Sequence, residues 1–425
     1  MSVDAIFENT DFSKVASFEH SKNLPRHRWY YFKEGFSPLL VDTAIKKNNI
    51  EEKDLIIDVF SGSGTVPLVS STANIESIGF EVNPFMAFVA EAKLSNIKYS
   101  TFDSYLDKVL KGIKEGEVSS LENYSTFSNN GNNEKWLFNT SVLRGFEGGW
   151  NTTKKIPNEA RKLYRLALVS ATMMNSNAVK DGKCLRYKKN WQELSYSRKS
   201  LIDNFKENCE LISEDLKSTQ IPKVATILKG DVRETLKTTK IKKFKLCVTS
   251  PPYLNSFDYS DIYRPELFLC KFVTNNNNLG KLRLNTLRSH MQINWDLPKK
   301  SKFGSVYQNC FNELFKRKEL LWNNKIPIMI QAYFEDMEKL LIQLKKKAEK
   351  KAQLWIIVST SAYAGVEIPV DLIIADIGTM IGWDLEGINT IRHMRNSTQN
   401  AQKYLDGIGM RKNKRESLII LKNQD

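Results

Sequence analysis

At 425 residues the chain is longer than the roughly 250–300 residues at which a single core stops growing, so one large α/β domain and a second module are expected. No window reaches the roughly 18 continuous apolar residues of a membrane span, and residues 1–23 are polar and charged with no apolar core, which argues against a spanning helix and a secretory signal and for the cytoplasm. The 63 Lys and Arg against 48 Asp and Glu leave a formal charge of +15, which suits either a polyanionic partner such as nucleic acid or general solubility. The five cysteines are far apart and form no C-x-x-C pair, so neither a disulfide framework nor a metal site is expected.

The first recognisable element is the aromatic stretch His27-Arg-Trp-Tyr-Tyr-Phe-Lys-Glu-Gly-Phe-Ser-Pro-Leu-Leu40, which leads into a helix from Pro38. The apolar run Asp54-Leu-Ile-Ile-Asp-Val-Phe60 ends in Ser61-Gly-Ser-Gly64, and a helix can start at Val66, giving strand, tight turn and helix. A second strand at Ser77-Ile-Gly-Phe-Glu81 and a helix from Pro84 complete a βαβ unit of a parallel, doubly wound sheet. Between residues 95 and 222 the strand pattern gives way to helical periodicity, clearest over 159–174 and 200–216, and this stretch reads as a mostly helical insertion. Residues 140–220 hold 15 Lys and Arg against 9 Asp and Glu, with Trp150, Tyr164, Tyr187 and Trp191 interleaved, a mixture suited to nucleic acid or to a solvated face.

The sheet resumes at 224–228, followed by Gly230-Asp231 and by the strand Phe244-Lys-Leu-Cys-Val-Thr249, which runs into Ser250-Pro-Pro-Tyr253. Residues 281–304 carry six Lys and Arg and one Asp without periodicity, and read as a basic, mobile loop. A lysine-rich helix over 330–352, a strand over 354–359 and two closing segments, 382–386 and 416–421, fit antiparallel terminal strands of the same sheet. The expected organisation is therefore 1–94 and 223–425 as two parts of one α/β domain, with 95–222 inserted and a basic loop at 271–305.

A glycine turn after the first strand of a βαβ unit lets backbone approach a cofactor, and a carboxylate ending the second strand can bind ribose hydroxyls. Asp58, Gly62, Gly64 and Glu81 fit those places. A dinucleotide fingerprint would need a third glycine at 67, where Pro67 stands, and no G-x-x-x-x-G-K-[S/T] occurs, so pyrophosphate and P-loop readings fail. The second constellation, Thr249-Ser-Pro-Pro-Tyr253, ends a strand, where open α/β sheets place ligands. Adjacent prolines fix the carbonyls of Ser250 and Pro251 in direction with no N–H to compete. An exocyclic base amine is a poor nucleophile because its lone pair is delocalised into the ring. Hydrogen bonds from it to the Ser250 hydroxyl and the Pro251 carbonyl would free that pair, and Tyr253 could stack on an extruded base.

Together, Asp58-Val-Phe60-Ser-Gly62-Ser-Gly64 and Thr249-Ser-Pro-Pro-Tyr253 resemble the amino-methylating DNA methyltransferases, whose motifs are F-x-G-x-G and [D/N/S]-P-P-Y. The resemblance covers 27–94 and 224–260 well and 354–422 loosely. It implies a Rossmann-like class I methyltransferase sheet, mostly parallel, with S-adenosylmethionine as cofactor and no metal. It also implies that Phe36, Pro38, Asp58, Phe60, Gly62, Gly64, Thr65, Glu81 and Asp231 bind the cofactor, Glu81 at the ribose and Asp231 near the adenine. Ser250, Pro251, Pro252 and Tyr253 would form the catalytic loop. Double-stranded DNA is the implied partner, with a separate restriction endonuclease as a possible companion. Ser250 favours cytosine N4 over adenine N6, since members with Asp or Asn there mostly methylate adenine. Arg392 and Arg415-Glu-Ser417 are similar to family endings and receive no role. A C5-cytosine enzyme is disfavoured because no cysteine follows a proline. An RNA methyltransferase and a catalytically silent DNA-binding module are the rival readings. The insertion at 95–222 and the loop at 271–305 compete as the DNA-reading segment.

Overall fold

Runs of Leu, Ile and Val too short for helices build the strands, and their burial on both faces requires helices on both sides of the sheet. A computed structural model of the chain describes residues 18–129, 131, 134–181, 184–393 and 414–424. The leading elements are α1 (Pro38–Lys47), β1 (Leu55–Asp58), α2 (Thr65–Thr72), β2 (Glu76–Glu81) and α3 (Pro84–Lys93). The insertion contributes α4 (Tyr99–Asp103), α5 (Leu106–Glu115), α6 (Thr140–Thr153), α7 (Asn158–Met174), the hairpin β3 (Ala178–Asp181) and β4 (Cys184–Tyr187), and α8 (Arg198–Ser218). Then follow β5 (Thr226–Lys229), α9 (Val232–Thr238), β6 (Phe244–Thr249), α10 (Tyr259–Ile262), α11 (Arg264–Leu269), α12 (Asn276–Leu284), α13 (Ser305–Lys316) and α14 (Ile326–Lys347). The chain closes with β7 (Ala348–Ser359), β8 (Ser361–Tyr363), β9 (Val366–Ile368), α15 (Val370–Ile381), β10 (Asp384–His393) and β11 (Arg415–Lys422).

Seven strands form one sheet in the order β10-β11-β7-β6-β1-β2-β5. All neighbours pair in parallel except β11, which is antiparallel to both β7 and β10. This is the Rossmann-like α/β methyltransferase sheet. From β1 the order runs outward to β2 and β5 on one side and to β6 and β7 on the other, and such a reversal opens a crevice at the strands' C-terminal ends. One face of the sheet packs on α9, α13, α14 and α15, and the other on α1 and α2. The helices of residues 99–218 share one apolar core, built around Leu143, Phe146, Leu163, Tyr164 and Phe205, with Trp29 and Phe32, with Phe85, Val89 and Ala92 of α3, and with Phe257, Tyr263 and Phe268. No helix among the described residues is long and apolar enough to cross a membrane.

Some boundaries and one character differ from expectation. The lysine-rich helix ends at Lys347, five residues early, because Ala348 already pairs with Phe244 as the start of β7. The segment expected as a basic loop begins with a helix: Asn275 caps α12 by accepting the Asn278 N–H at 2.9 Å, so the asparagine run is a helix start. Its arginines are committed inward. Arg283 pairs with Asp258 at 2.5 Å. Arg288 is buried, donating from Nη2 to Glu335 Oε2 at 2.5 Å and to Asp336 Oδ1 at 2.6 Å. Burial pushes the Glu335 carboxyl up, yet hydrogen bonds from Arg288, Lys299 N–H and Lys339 outweigh it and hold it down to about 2. Arg288→Ala would leave two buried carboxylates short of their cation and should remove about 3–5 kcal/mol of stability. Urea unfolding measures this; an unchanged midpoint would mean that the pair is dispensable.

Candidate active site

The turns that follow β1, β2, β5 and β6 open on one cleft at the C-terminal edge of the sheet, about 1,170 Å³ including its open mouth. Phe60, Gly62 and Thr65 line it from the glycine turn, Glu81 from the end of β2, Asp231 from the start of α9, and Ser250, Pro251, Pro252 and Tyr253 from the loop after β6. Phe36 reaches it from the N-terminal aromatic segment. Pro38, Asp58 and Gly64 do not line the cleft. Pro38 is buried in the first turn of α1. Asp58 lies behind the turn, where it accepts from Thr249 Oγ1 at 2.7 Å and from the Phe60 N–H at 3.0 Å. Burial pushes its carboxyl up to about 7 against those two hydrogen bonds.

The glycine turn requires both of its glycines, for different reasons. Gly62 has φ of +50°, and a Cβ there would stand 2.9 Å from the Phe32 ring, which lines the cleft. Gly64 has φ of +82° and caps α2, and its Cβ would come within 2.7 Å of the Ala90 Cβ and 3.0 Å of its Cα on α3. One glycine therefore seats the aromatic segment, and the other lets two helices touch. Glu81 accepts the Gly62 N–H at 2.7 Å and the Asn83 N–H at 2.8 Å. Although an edge stays open to the cleft, burial pushes its carboxyl up to about 7, opposed by those backbone donors. Asp231 is engaged by Arg233, which donates from Nη2 at 2.6 Å and from Nε at 2.9 Å, and Arg233 in turn reaches Asp336 at 2.8 Å.

Sequence reading missed several lining residues: Ser61, Ser63, Asn83, Tyr259, Tyr263, Thr286 and His290. Asn83 had a local signal, since Asn before Pro84 is a helix cap, and its side chain accepts the Phe85 N–H at 3.0 Å. The others depend on distant partners. Arg26 N–H, Trp29 Nε1 and the Arg28 guanidinium all converge on the buried carboxylate of Asp215 in α8, at 2.7, 2.8 and 2.6 Å, and so fasten the aromatic segment to the insertion. Tyr263 donates to Glu34 at 2.7 Å and carries the Lys180 ammonium 3.8 Å over its ring.

The sheet order, the glycine turn and the Ser-Pro-Pro-Tyr loop on a shared cleft define a Rossmann-like methyltransferase. The chain is 26% identical over 447 residues to the Type II methyltransferase M.BsoBI of Geobacillus stearothermophilus, covering 92% of this chain and 85% of that protein. It is 26% identical over 420 residues to the Type II methyltransferase M.AvaI of Nostoc sp., covering 88% and 82%. A shorter match, 32% over 104 residues, links it to the Type II methyltransferase M.MjaII of Methanocaldococcus jannaschii, over 24% of this chain and 19% of that one. No family model matches. The rRNA methyltransferase aviRa of Streptomyces viridochromogenes overlaps 96% of this chain and 97% of its own at 10% identity, with a TM-score of 0.33, too low to bear on fold or substrate. The chain is a homologue of the Type II methyltransferases, a class whose methyl donor is S-adenosylmethionine.

The two glycines separate by measurement. Gly64→Ala should cost about 1–3 kcal/mol through strain and overpacking between α2 and α3, seen as a lower melting temperature. Gly62→Ala should instead displace Phe32 and weaken S-adenosylmethionine binding in calorimetry more than it lowers the melting temperature. Equal effects of both on stability and binding would contradict this division.

Proposed function

We propose that the protein is a site-specific methyltransferase of double-stranded DNA that methylates the exocyclic amine of a flipped base, cytosine N4, with S-adenosylmethionine as donor. The observation that carries this reading is the opening of the glycine turn, Glu81 and Ser250-Pro-Pro-Tyr253 on one cleft. The cleft offers what the donor molecule needs. Glu81 presents a carboxylate edge for ribose hydroxyls. Ser63, buried beside the turn, has a hydroxyl without a hydrogen-bond partner, and with the N–H groups opening α2 it suits the methionine carboxylate. Phe36, Phe60 and Thr65 would pack around the methionine part, with Asp231 on the adenine side. Asp58, Pro38 and Gly64 would act from behind by holding the turn in place.

The donor supplies an electrophilic methyl group on a sulfonium. The chain's own task is to make the amine nucleophilic and to hold it in line. The Ser250 hydroxyl and the Pro251 carbonyl accept from the two amine hydrogens and draw the nitrogen towards tetrahedral geometry, while Tyr253 stacks on the extruded ring. The preference for cytosine rests on Ser250, since the enzymes this chain resembles that carry Asp or Asn there mostly methylate adenine.

DNA as substrate is supported by the cationic character of the same edge. Helix α14 runs antiparallel to the strand it precedes, so its first turn lies at the sheet's C-terminal edge. The segment leading into that turn carries the exposed Phe315, Trp322 and Ile328, interspersed in sequence with Lys316, Arg317, Lys318 and Lys325. Such a mixture of aromatic groups and cations suits stacking and phosphate contact. The insertion as target-recognition module is supported by its β3–β4 hairpin, whose Lys180 touches Tyr263 on the cleft wall.

Two measurements test the reading. With its carboxyl near 7, Glu81 is mostly protonated at pH 6 and mostly ionised at pH 8. The ionised form is the better acceptor for two ribose hydroxyls, so S-adenosylmethionine should bind about tenfold more tightly at pH 8. Glu81→Gln should flatten that dependence; a profile untouched by the substitution would remove Glu81 from the ribose site. Nucleoside mass spectrometry of methylated DNA decides the base: N4-methylcytosine is expected, and N6-methyladenine would move the assignment to adenine. Ser250→Ala should lower turnover about 10²-fold with cofactor affinity intact.

A further inference from the structure

The C-terminal segment Arg415-Glu-Ser417 lies in β11, more than 160 positions along the chain from the catalytic loop, yet one of its side chains reaches that loop. The Tyr253 hydroxyl donates to Glu416 Oε1 at 2.5 Å. Glu416 is 5% exposed, and its other oxygen accepts from Arg392 Nε at 2.7 Å. Arg392 stands directly opposite Glu416 in the antiparallel β10–β11 pair, so the sheet register itself delivers the cation to the carboxylate.

We propose that Glu416, held by Arg392, is a positioning residue that fixes the plane of the Tyr253 ring. This rests on the methyltransferase reading above and adds a residue outside both sequence motifs. Three features separate it from ordinary packing. The carboxylate is buried, its partner on the loop is the group meant to stack on the base, and a phenol ring with its hydroxyl fixed loses the rotation about χ1 and χ2 that would blur the stacking surface. The loop's other anchors hold backbone instead: Tyr363 donates to the Leu254 carbonyl at 3.0 Å, and Ser361 donates to the same atom. The Glu416 contact differs in acting on the Tyr253 side chain, which faces the cleft.

The test is a double-mutant cycle in the full-length enzyme with Tyr253→Phe, which keeps the ring and removes the hydroxyl, Glu416→Leu, and both together. Steady-state methylation of unmethylated genomic duplex DNA and calorimetric S-adenosylmethionine binding are read for each. Glu416→Leu and Tyr253→Phe should each lower kcat about ten- to a hundredfold, the scale of a misplaced reacting group. The double variant should be no worse than the weaker single, and KM and affinity for S-adenosylmethionine should stay unchanged. Glu416→Gln, which keeps an acceptor for the tyrosine, should recover most of the loss. Additive losses, wild-type kcat in Glu416→Leu, or an equal loss of cofactor binding would overturn the proposal. Wild-type protein that binds the cofactor but transfers no methyl group to any DNA would sink the DNA reading on which it rests, and the control shows this before any variant is compared.

Discussion

The hydrogen bond between Asp58 and Thr249 is the constraint on which the rest of the site depends. These residues end β1 and β6, the two parallel neighbours from which the sheet order runs in opposite directions. Beyond them the chain must diverge, one arm into the glycine turn and the other into Ser250-Pro-Pro-Tyr253. A bond at the last shared level fixes the distance at which the divergence begins. Asp58 also accepts the Phe60 N–H, so one buried carboxylate sets both the strand spacing and the first step of the turn. Burial holds that carboxyl near 7, where a surface aspartate would be fully ionised. The folded chain therefore keeps a proton that the unfolded chain gives up above about pH 4, and stability falls as pH rises towards 7 before levelling off. The geometry is retained at an energetic cost, as expected of a site rather than of a plain core.

From that level the cleft walls are fastened by charges rather than by apolar contact alone. Asp231, Arg233, Asp336, Arg288 and Glu335 form a continuous chain from the mouth of the cleft to the middle of α14. On the other side Asp215 collects three donors from residues 26–29 and ties the aromatic segment to the insertion. A segment from the N-terminus, a helix of the insertion and a helix from the C-terminal half thus all bear on one cleft. Removing a member of either network leaves a buried charge without its partner, which is why such ties hold loops in place more firmly than their net energy suggests.

What could be read in the sequence was what is local. Strands β1, β2 and β6, the glycine turn and the Ser-Pro-Pro-Tyr loop announce themselves within seven residues, and the long helices α7 and α8 follow from their periodicity. The hairpin β3–β4 escaped because four residues without clear alternation give no strand signal. The basic segment was misread because a run of cations carries no record of its partners. Arg288 finds Glu335 and Asp336 some 47 residues later, so what reads as a mobile charged loop is instead a buried brace. Gly64 was legible as a glycine that must stay, but its reason was not, since Ala90 lies on another helix.

The antiparallel strand β11 shows how fold and site bear on each other. Placed between β7 and β10, it carries Glu416 opposite Ser359 on one side and Arg392 on the other. It also carries Ser417, whose hydroxyl donates to Asp371 at 2.7 Å while Arg415 pairs with the same carboxylate. Successive residues on a strand face opposite sides, so Glu416 points to the face from which the Ser250-Pro-Pro-Tyr253 loop is reached, whereas Arg415 and Ser417 point to α15. A one-residue slip in register would exchange those faces and put a buried carboxylate where α15 packs. The pairing that completes the sheet is thus the same pairing that sets the side chain behind Tyr253, and the last strand of the fold is tied to the position of the tyrosine ring.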